Sequence, residues 1–346
     1  MAPRPKLLFL AQTLPFPPDG GVQIRTYNVL RLLARTFDVT ALCFYRAGIC
    51  ATPQAVEAAV AGLRALPGVS AVEAFSIPQE HSRARLGWDH LRSLATRRPY
   101  TVFSYESDAF RARVEELLRG RGFDLVHVDS MDLSAYLPLL EGTPTVCVHH
   151  NVESALLRRR AQNERSPLLR RYIAHQAELL EAEERRWCPG VALNVAASGE
   201  DRRRFEALVP GAPFAVVPNG VDTRAFRPAG EGAREGIVFV GGYSWYPNRD
   251  ALAHFAEDVL PRLRETGPEV PVRWVGRAPE PVKREYRERH GTELTGYVDD
   301  IRPHVHSAAC YVVPLRVGGG TRLKILDAWA MGKAVVSTSV GCEGLE

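Results

Sequence analysis

The chain has 346 residues, of which 45% are apolar and 24% charged, and its formal net charge is +4. That length accommodates two domains with separate cores, and the composition is that of an ordinary globular protein, which excludes a fibrous or disordered chain. So small a positive excess permits anionic partners, but no basic strand interleaved with aromatics points to nucleic acid. The six cysteines (Cys43, Cys50, Cys147, Cys188, Cys310 and Cys342) form no Cys-x-x-Cys pair. That scatter suits a reducing compartment and speaks against zinc. No apolar run reaches membrane-spanning length, and prolines break the opening stretch too early for a signal peptide, so a cytoplasmic location is expected.

Taken in order, the chain alternates between strands and helices. A short buried strand is predicted over residues 7–10, followed by a loop carrying Pro15, Pro17, Pro18, Gly20 and Gly21. A helix follows over about 23–35, with Val29, Leu30, Leu33 and Ala34 on its apolar side, then a strand over 39–44. Further buried strands are expected over 124–128, 145–148 and 192–195. This is βαβ logic, which implies a parallel sheet with ligands beyond the carboxyl ends of its strands. Gly20 and Gly21 lie at such an end, either as a plain turn or as a ligand loop.

His149, His150 and Asn151 directly follow the strand over 145–148. Adjacent residues of an extended chain point to opposite sides, so only one of the two histidines can face a site. Segments 86–122 and 156–186 are arginine-rich and helical in pattern. The densest cluster is Arg158, Arg159, Arg160, Arg165, Arg170 and Arg171. A basic helix can approach anionic lipid. Glu178, Glu181, Glu183 and Glu184 follow at once, however, and favour a solvated, salt-bridged helix.

A boundary falls at Val217-Pro218-Asn219-Gly220, where Asn-Gly forms a turn, giving domains over 1–217 and 218–346. The alternation then restarts with a strand over 237–240, Gly241 and Gly242, a helix over about 249–265 and a strand over 272–275. After Tyr297 and Val298 come a strand over 310–313 and a loop with Gly318, Gly319 and Gly320. A helix over 321–331, a stop at Gly332 and a strand over 334–336 complete the pattern. Consecutive glycines uncover backbone N–H groups, and a helix starting at Thr321 adds its own free amides and positive dipole end, a combination suited to phosphate. Arg322 and Lys324 add cationic side chains. Lys324 and Asp327 share one face, while Leu323, Leu326 and Ala330 are expected to be buried. The plain alternative is a surface loop with a Lys–Asp pair. Gly332-Lys333 is followed by Ala334, which excludes a Walker loop, and no dinucleotide fingerprint is present.

The run from Ile325 through Asp327, Gly332 and Val336 resembles the donor site of family-four glycosyltransferases, which are retaining enzymes of the GT-B fold. The resemblance implies an α/β chain with two Rossmann-like parallel-sheet domains facing a cleft: an acceptor-side domain first, then a nucleotide-sugar domain. Val216 to Asp222 resembles the family's interdomain hinge. Two departures stand out: Gly319 occupies the place of the family's first glutamate, and Asp327 replaces the second. Gly242 stands where many relatives carry an arginine, and no lysine follows in that loop. By this resemblance Gly20 and Gly21 face the diphosphate and acceptor, and His150 lies near the transferred sugar, with His149 the fallback. Gly241, Gly318, Gly319, Gly320 and Thr321 line the donor site. Arg322 and Lys324, helped by Arg316, hold the leaving group, Asp327 fixes the ribose and Val298 borders the base.

The implied donor is a nucleoside-diphosphate sugar and the acceptor a glycan, a lipid-linked or a small molecule. No Asp-x-Asp occurs, which fits transfer without a metal, and no other cofactor or nucleic-acid partner is expected. Peripheral contact with an anionic membrane at the inner face is compatible with the arginines. The family's second domain normally continues past Gly-x-Glu-Gly-Leu, whereas this chain stops at Glu346 inside that motif. A sugar-nucleotide 2-epimerase of the same architecture and a non-catalytic GT-B binding protein are the rival readings.

Overall fold

The computed structural model describes residues 3–48, 50–230, 234–318 and 322–345. The chain divides into two compact units, Met1–Val217 and Pro218–Glu346.

The first unit is built on seven strands: β1 (Lys6–Ala11), β2 (Asp38–Tyr45), β3 (Val69–Ser76), β4 (Leu125–Val128), β5 (Thr145–His149), β6 (Leu193–Ala196) and β7 (Phe214–Val216). All pair in parallel, in the order β3-β2-β1-β4-β5-β6-β7. The chain winds outward from β1 through β3, then returns to β1's other side at β4, so the switch point lies between β1 and β4. Both faces of the sheet are covered. Leu7 and Phe9 enter one core and Leu8 and Leu10 the other, which explains why β1 is continuously apolar rather than alternating.

The second unit has five parallel strands, β8 (Ile237–Val240), β9 (Val272–Val275), β10 (Thr292–Leu294), β11 (Cys310–Val313) and β12 (Ala334–Ser337). Their order is β10-β9-β8-β11-β12, with the switch point between β8 and β11. Trp274 stacks on Phe239 at 3.6 Å between centroids in its single core. The sheets are therefore those of a two-domain parallel α/β chain, as the alternation implied.

One helix expectation needs correction. The helix after the glycine loop is Leu323–Ala330, two residues shorter at its start, because Arg322 is extended (φ −87, ψ 97) and serves as N-cap. Its buried face is Ile325 and Ala328, continued by Met331, while Leu323, Leu326 and Ala330 are only half-buried. Both sets fit a 3.6-residue period. The helix is apolar on both sides, so the period alone cannot fix which side meets the sheet. The first helix, Gly21–Leu33, keeps its expected apolar side, with Leu30 and Ala34 buried and Val29 and Leu33 packed against the core, and it also buries Gln23, Arg25 and Thr26. Polar residues on its inner face announce the site they serve.

The arginine-rich stretch forms helices Glu153–Gln162 and Pro167–Trp187. Arg158 and Arg185 converge on Glu181, so part of this cluster is tied up in ion pairs. Among the described residues, no helix is long and apolar enough to cross a membrane.

Candidate active site

Each sheet gathers polar groups at its carboxyl edge, and the two clusters are described separately. In the first unit the focus is Asp129, which follows β4 and lies at the switch point, its amide donating to Leu10 O at 2.9 Å. The side chain is completely buried. Thr26 Oγ1 donates to it from the first helix, and His127 Nε2 and His150 Nε2 each stand 3.4 Å from its oxygens. Burial alone would raise the Asp129 pKa, but the two histidines hold it well below the usual carboxylate range. Burial pulls His150 down, and the Asp129 carboxylate more than offsets this, so the imidazole titrates above its ordinary value.

The neighbouring His149 has a different setting. Its Nε2 lies 2.9 Å from Asn194 Oδ1, its ring packs on Phe205, and burial drives its pKa down to about 4. It is a neutral residue of the core. His150 is the member of the pair that joins the acidic cluster, alongside two carboxyl groups raised by burial: Asp132, and Glu153, which reaches about 7. Asn151 Nδ2 donates to Glu153 at 2.9 Å. Gly20 is the uncapped, extended residue before the helix and Gly21 its first residue, which leaves the helix's opening amides without a side-chain cap.

In the second unit, Gly241 and Gly242 follow β8 and the segment 314–318 follows β11, so the two loops flank the switch point. Asn248 bridges toward both. Its Nδ2 donates to Gly242 O at 2.9 Å, and its Oδ1 accepts from Lys324 Nζ at 3.2 Å. Lys324 also lies over the Phe239 ring, 4.1 Å from its centroid. Burial, with Arg322 beside it, lowers its pKa to about 7. The Arg322 guanidinium is buried, 5.8 Å from the centroid of Trp245, and its Nη2 fills the space a side chain at Gly318 would need. Asp327, one turn beyond Lys324, is raised to about 7 by burial.

Lys324 turns to Asn248 and not to Asp327, so the surface Lys–Asp pair is not what forms. Arg316 is held by Asp250 at 2.7 and 3.0 Å. Val298 is half-buried against the core, and the neighbouring Tyr297 is exposed beneath Arg277 at 4.4 Å. Gly319, Gly320 and Thr321 lie outside the described residues. Asp129, Arg25, Thr26 and Asp132 were missed, and Glu153 and Asn248 went unassigned. A signal for Asp129 existed, since it follows a buried strand directly, as His149 and His150 do.

Two doubly wound parallel-sheet units, each with its polar cluster at the carboxyl edge, match the two-domain α/β class of the GT-B fold. The sequence pattern of Glycosyltransferase Family 4 matches residues 19–225, more than half of the chain, and that of Glycosyl transferases group 1 matches residues 234–346. The chain belongs to glycosyltransferase family 4. Among solved structures it is similar to HepE of Anabaena in complex with UDP, with a TM-score of 0.62 at 16% identity, covering 97% of this chain and 81% of that one. It is also similar to sucrose-phosphate synthase of Thermosynechococcus elongatus, with a TM-score of 0.63 at 16% identity and coverage of 97% and 82%. The apo lipopolysaccharide outer core galactosyltransferase WaaB gives 0.55 at 14% identity, covering 97% and 81%. At such identities the likeness is one of fold. A search of curated proteins finds no match.

Proposed function

We propose that the protein moves a sugar from a nucleoside-diphosphate sugar to a glycan, lipid-linked or small-molecule acceptor, with retention at the anomeric carbon and without a metal ion. The observation that carries this reading is Lys324: a half-buried ammonium whose partners are a neutral amide oxygen and a ring face, between two glycine loops at a switch point. Such a charge is poorly compensated until an anion arrives. HepE, similar in fold, has been solved with UDP and with UDP-glucose.

In this reading the second unit holds the diphosphate. Breaking the bond between the anomeric carbon and the diphosphate oxygen leaves negative charge on that oxygen. Lys324, Arg322 and the loop amides, Gly318 to Thr321, stabilise it. The acceptor oxygen bonds to the anomeric carbon on the same face, and its proton leaves with the diphosphate. Asp327 accepts from a ribose hydroxyl, Gly241 and Val298 border the nucleotide, and Gly20 and Gly21 offer amides on the first unit's side. His150, whose pKa Asp129 raises, faces the sugar. The test is release of nucleoside diphosphate from labelled sugar nucleotides, with the product's anomeric configuration read by NMR. Equal rates for wild type and Lys324→Met, or an inverted product, would overturn it.

A further inference from the structure

The inner face of the helix Gly21–Leu33 buries three polar side chains, Gln23, Arg25 and Thr26. Such a face is normally apolar, so each of the three needs a reason for its place. Thr26 Oγ1 donates to Asp129, the focus of the polar cluster, and Gln23 Nε2 donates to Leu14 O in the loop before the helix, at 3.4 Å. Arg25 is the one that the sugar-transfer reading leaves unused. It is 7% exposed, and its Nη2 donates to Val217 O at 2.7 Å across 192 residues of sequence.

Val217 is the last residue of the first unit, from which the chain passes through Pro218 into the second. Its side chain is 48% exposed, so packing does not hold it. Its backbone does: the amide donates to Ala196 O at 3.0 Å, and the carbonyl accepts from Arg25. The first bond continues the pairing of β7 with β6, and the second comes from outside the sheet. A guanidinium is expensive to bury unless another charge compensates it, and a carbonyl oxygen is neutral. The compensation comes from Asp129, whose negative charge favours the charged form of Arg25 against the burial that opposes it. The same guanidinium makes His150 less basic than Asp129 alone would. Arg25 thus belongs to the Asp129 cluster by its charge and to Val217 by its hydrogen bond.

We propose that Arg25 is a positioning residue: it fixes the end of the first unit to the helix that orients Asp129, so that His150 and the chain's exit from this unit are held in one arrangement. An apolar side chain would fill the same space and do neither. Arginine suits the task because its planar fork can grip an oxygen while its charge, which is never lost, acts on the carboxylate. Only the role of His150 rests on the sugar-transfer reading; the tie itself does not.

The experiment compares wild type with Arg25→Met and Arg25→Lys in the full chain. With no nucleotide present, Arg25→Met should speed hydrogen exchange at the Val217 amide by about tenfold. It should also raise the His150 pKa by about half a unit or more in a titration of the ring signals, because a repelling cation is gone. Arg25→Lys keeps the charge without the fork, so His150 should titrate as in wild type while the Val217 amide still exchanges faster. With the sugar nucleotide that wild type turns over, both variants should lower kcat by about fivefold or more. KM for the donor should stay unchanged, because Lys324 and Arg322, which hold it in that reading, are untouched. Unaltered exchange at Val217 in both variants, a His150 pKa unmoved by Arg25→Met, or a wild-type kcat in that variant would overturn the proposal. Should Arg25→Met fail to fold, the exchange and kcat of Arg25→Lys decide. A wild type that transfers no sugar would instead sink the sugar-transfer reading and leave exchange and titration to judge the tie.

Discussion

Lys324 Nζ donates to Asn248 Oδ1 at 3.2 Å, and this bond joins the helix after one glycine loop to the helix after the other. An amide oxygen orients the ammonium without neutralising it. The lysine is thus held in place and left charge-hungry, with its pKa brought down to about 7 by burial and by Arg322. An anion bound beside it reverses both effects, because opposite charge favours the protonated form.

Binding of a nucleoside diphosphate near pH 8 should therefore take up a proton. Calorimetric titration with UDP in buffers of different ionisation enthalpy measures this directly. Uptake of a substantial fraction of a proton is expected for wild type and Asp327→Asn, and none for Lys324→Met. Equal apparent enthalpy in every buffer for wild type would show that Lys324 does not receive the anion.

The same two groups should make the second unit's stability depend on pH in opposite directions. The Lys324 pKa falls from an ordinary 10.5 to about 7 on folding, so its cost is absent above 10.5, grows as pH falls, and is complete below 7. The Asp327 pKa rises from 3.8 to about 7, so its cost is absent below 3.8 and complete above 7. Lys324→Met should then stabilise most at pH 6 and least at pH 10, and Asp327→Asn most at pH 8 and least near pH 4. Each difference is expected to be on the order of a few kcal/mol. Urea unfolding followed by tryptophan fluorescence reads them, and parallel curves at all pH values would contradict the burial argument.

In the first unit, Asp129 sets the charge of His150. Asp129→Asn removes the carboxylate that lifts the imidazole, leaving burial to depress it. The His150 pKa should fall by about one unit or more, seen in the pH titration of its ring signals, and the high-pH limb of turnover should move down with it. Loss of the buried charge partner should also cost about 3 kcal/mol. An unmoved limb beside a moved pKa would take His150 out of the reaction.

Much of this fold could be read from local sequence. The strands expected over 237–240, 272–275 and 310–313 coincide with β8, β9 and β11 because each is a short run rich in β-branched and aromatic residues, closed by Gly241, Gly276 or Pro314. β3, β7 and β10 were missed for physical reasons, β7 being only the three residues FAV at the other edge of the first sheet. The segment VSAVEAFS alternates weakly at a sheet edge, and TEL is three residues wedged between a helix and a glycine turn. The donor-side residues were legible because glycines and cations cluster within one stretch. Asp129 was not, since a single aspartate acquires meaning only when Thr26 and His150, far away in sequence, close on it. Helix phase failed at Leu323–Ala330 because both of its sides are apolar.

Gly241 offers the sharpest steric test. A Cβ there would lie 2.5 Å from the Phe239 ring and 2.7 Å from Asn248 Nδ2, whereas a Cβ at Gly242 meets nothing nearer than Ser244 Oγ at 3.9 Å. The ring is pinned by its stack on Trp274, so the Asn248 amide is the group that must give way. Moving it breaks the bond to Gly242 and withdraws the oxygen that holds Lys324. Gly241→Ala should therefore cost about 1–3 kcal/mol in unfolding free energy and weaken UDP binding by about tenfold. Gly242→Ala should leave both unchanged. Comparison of the two variants by urea unfolding and calorimetry separates the Asn248 bridge from a general intolerance of side chains in this loop, because only the first substitution reaches the bridge.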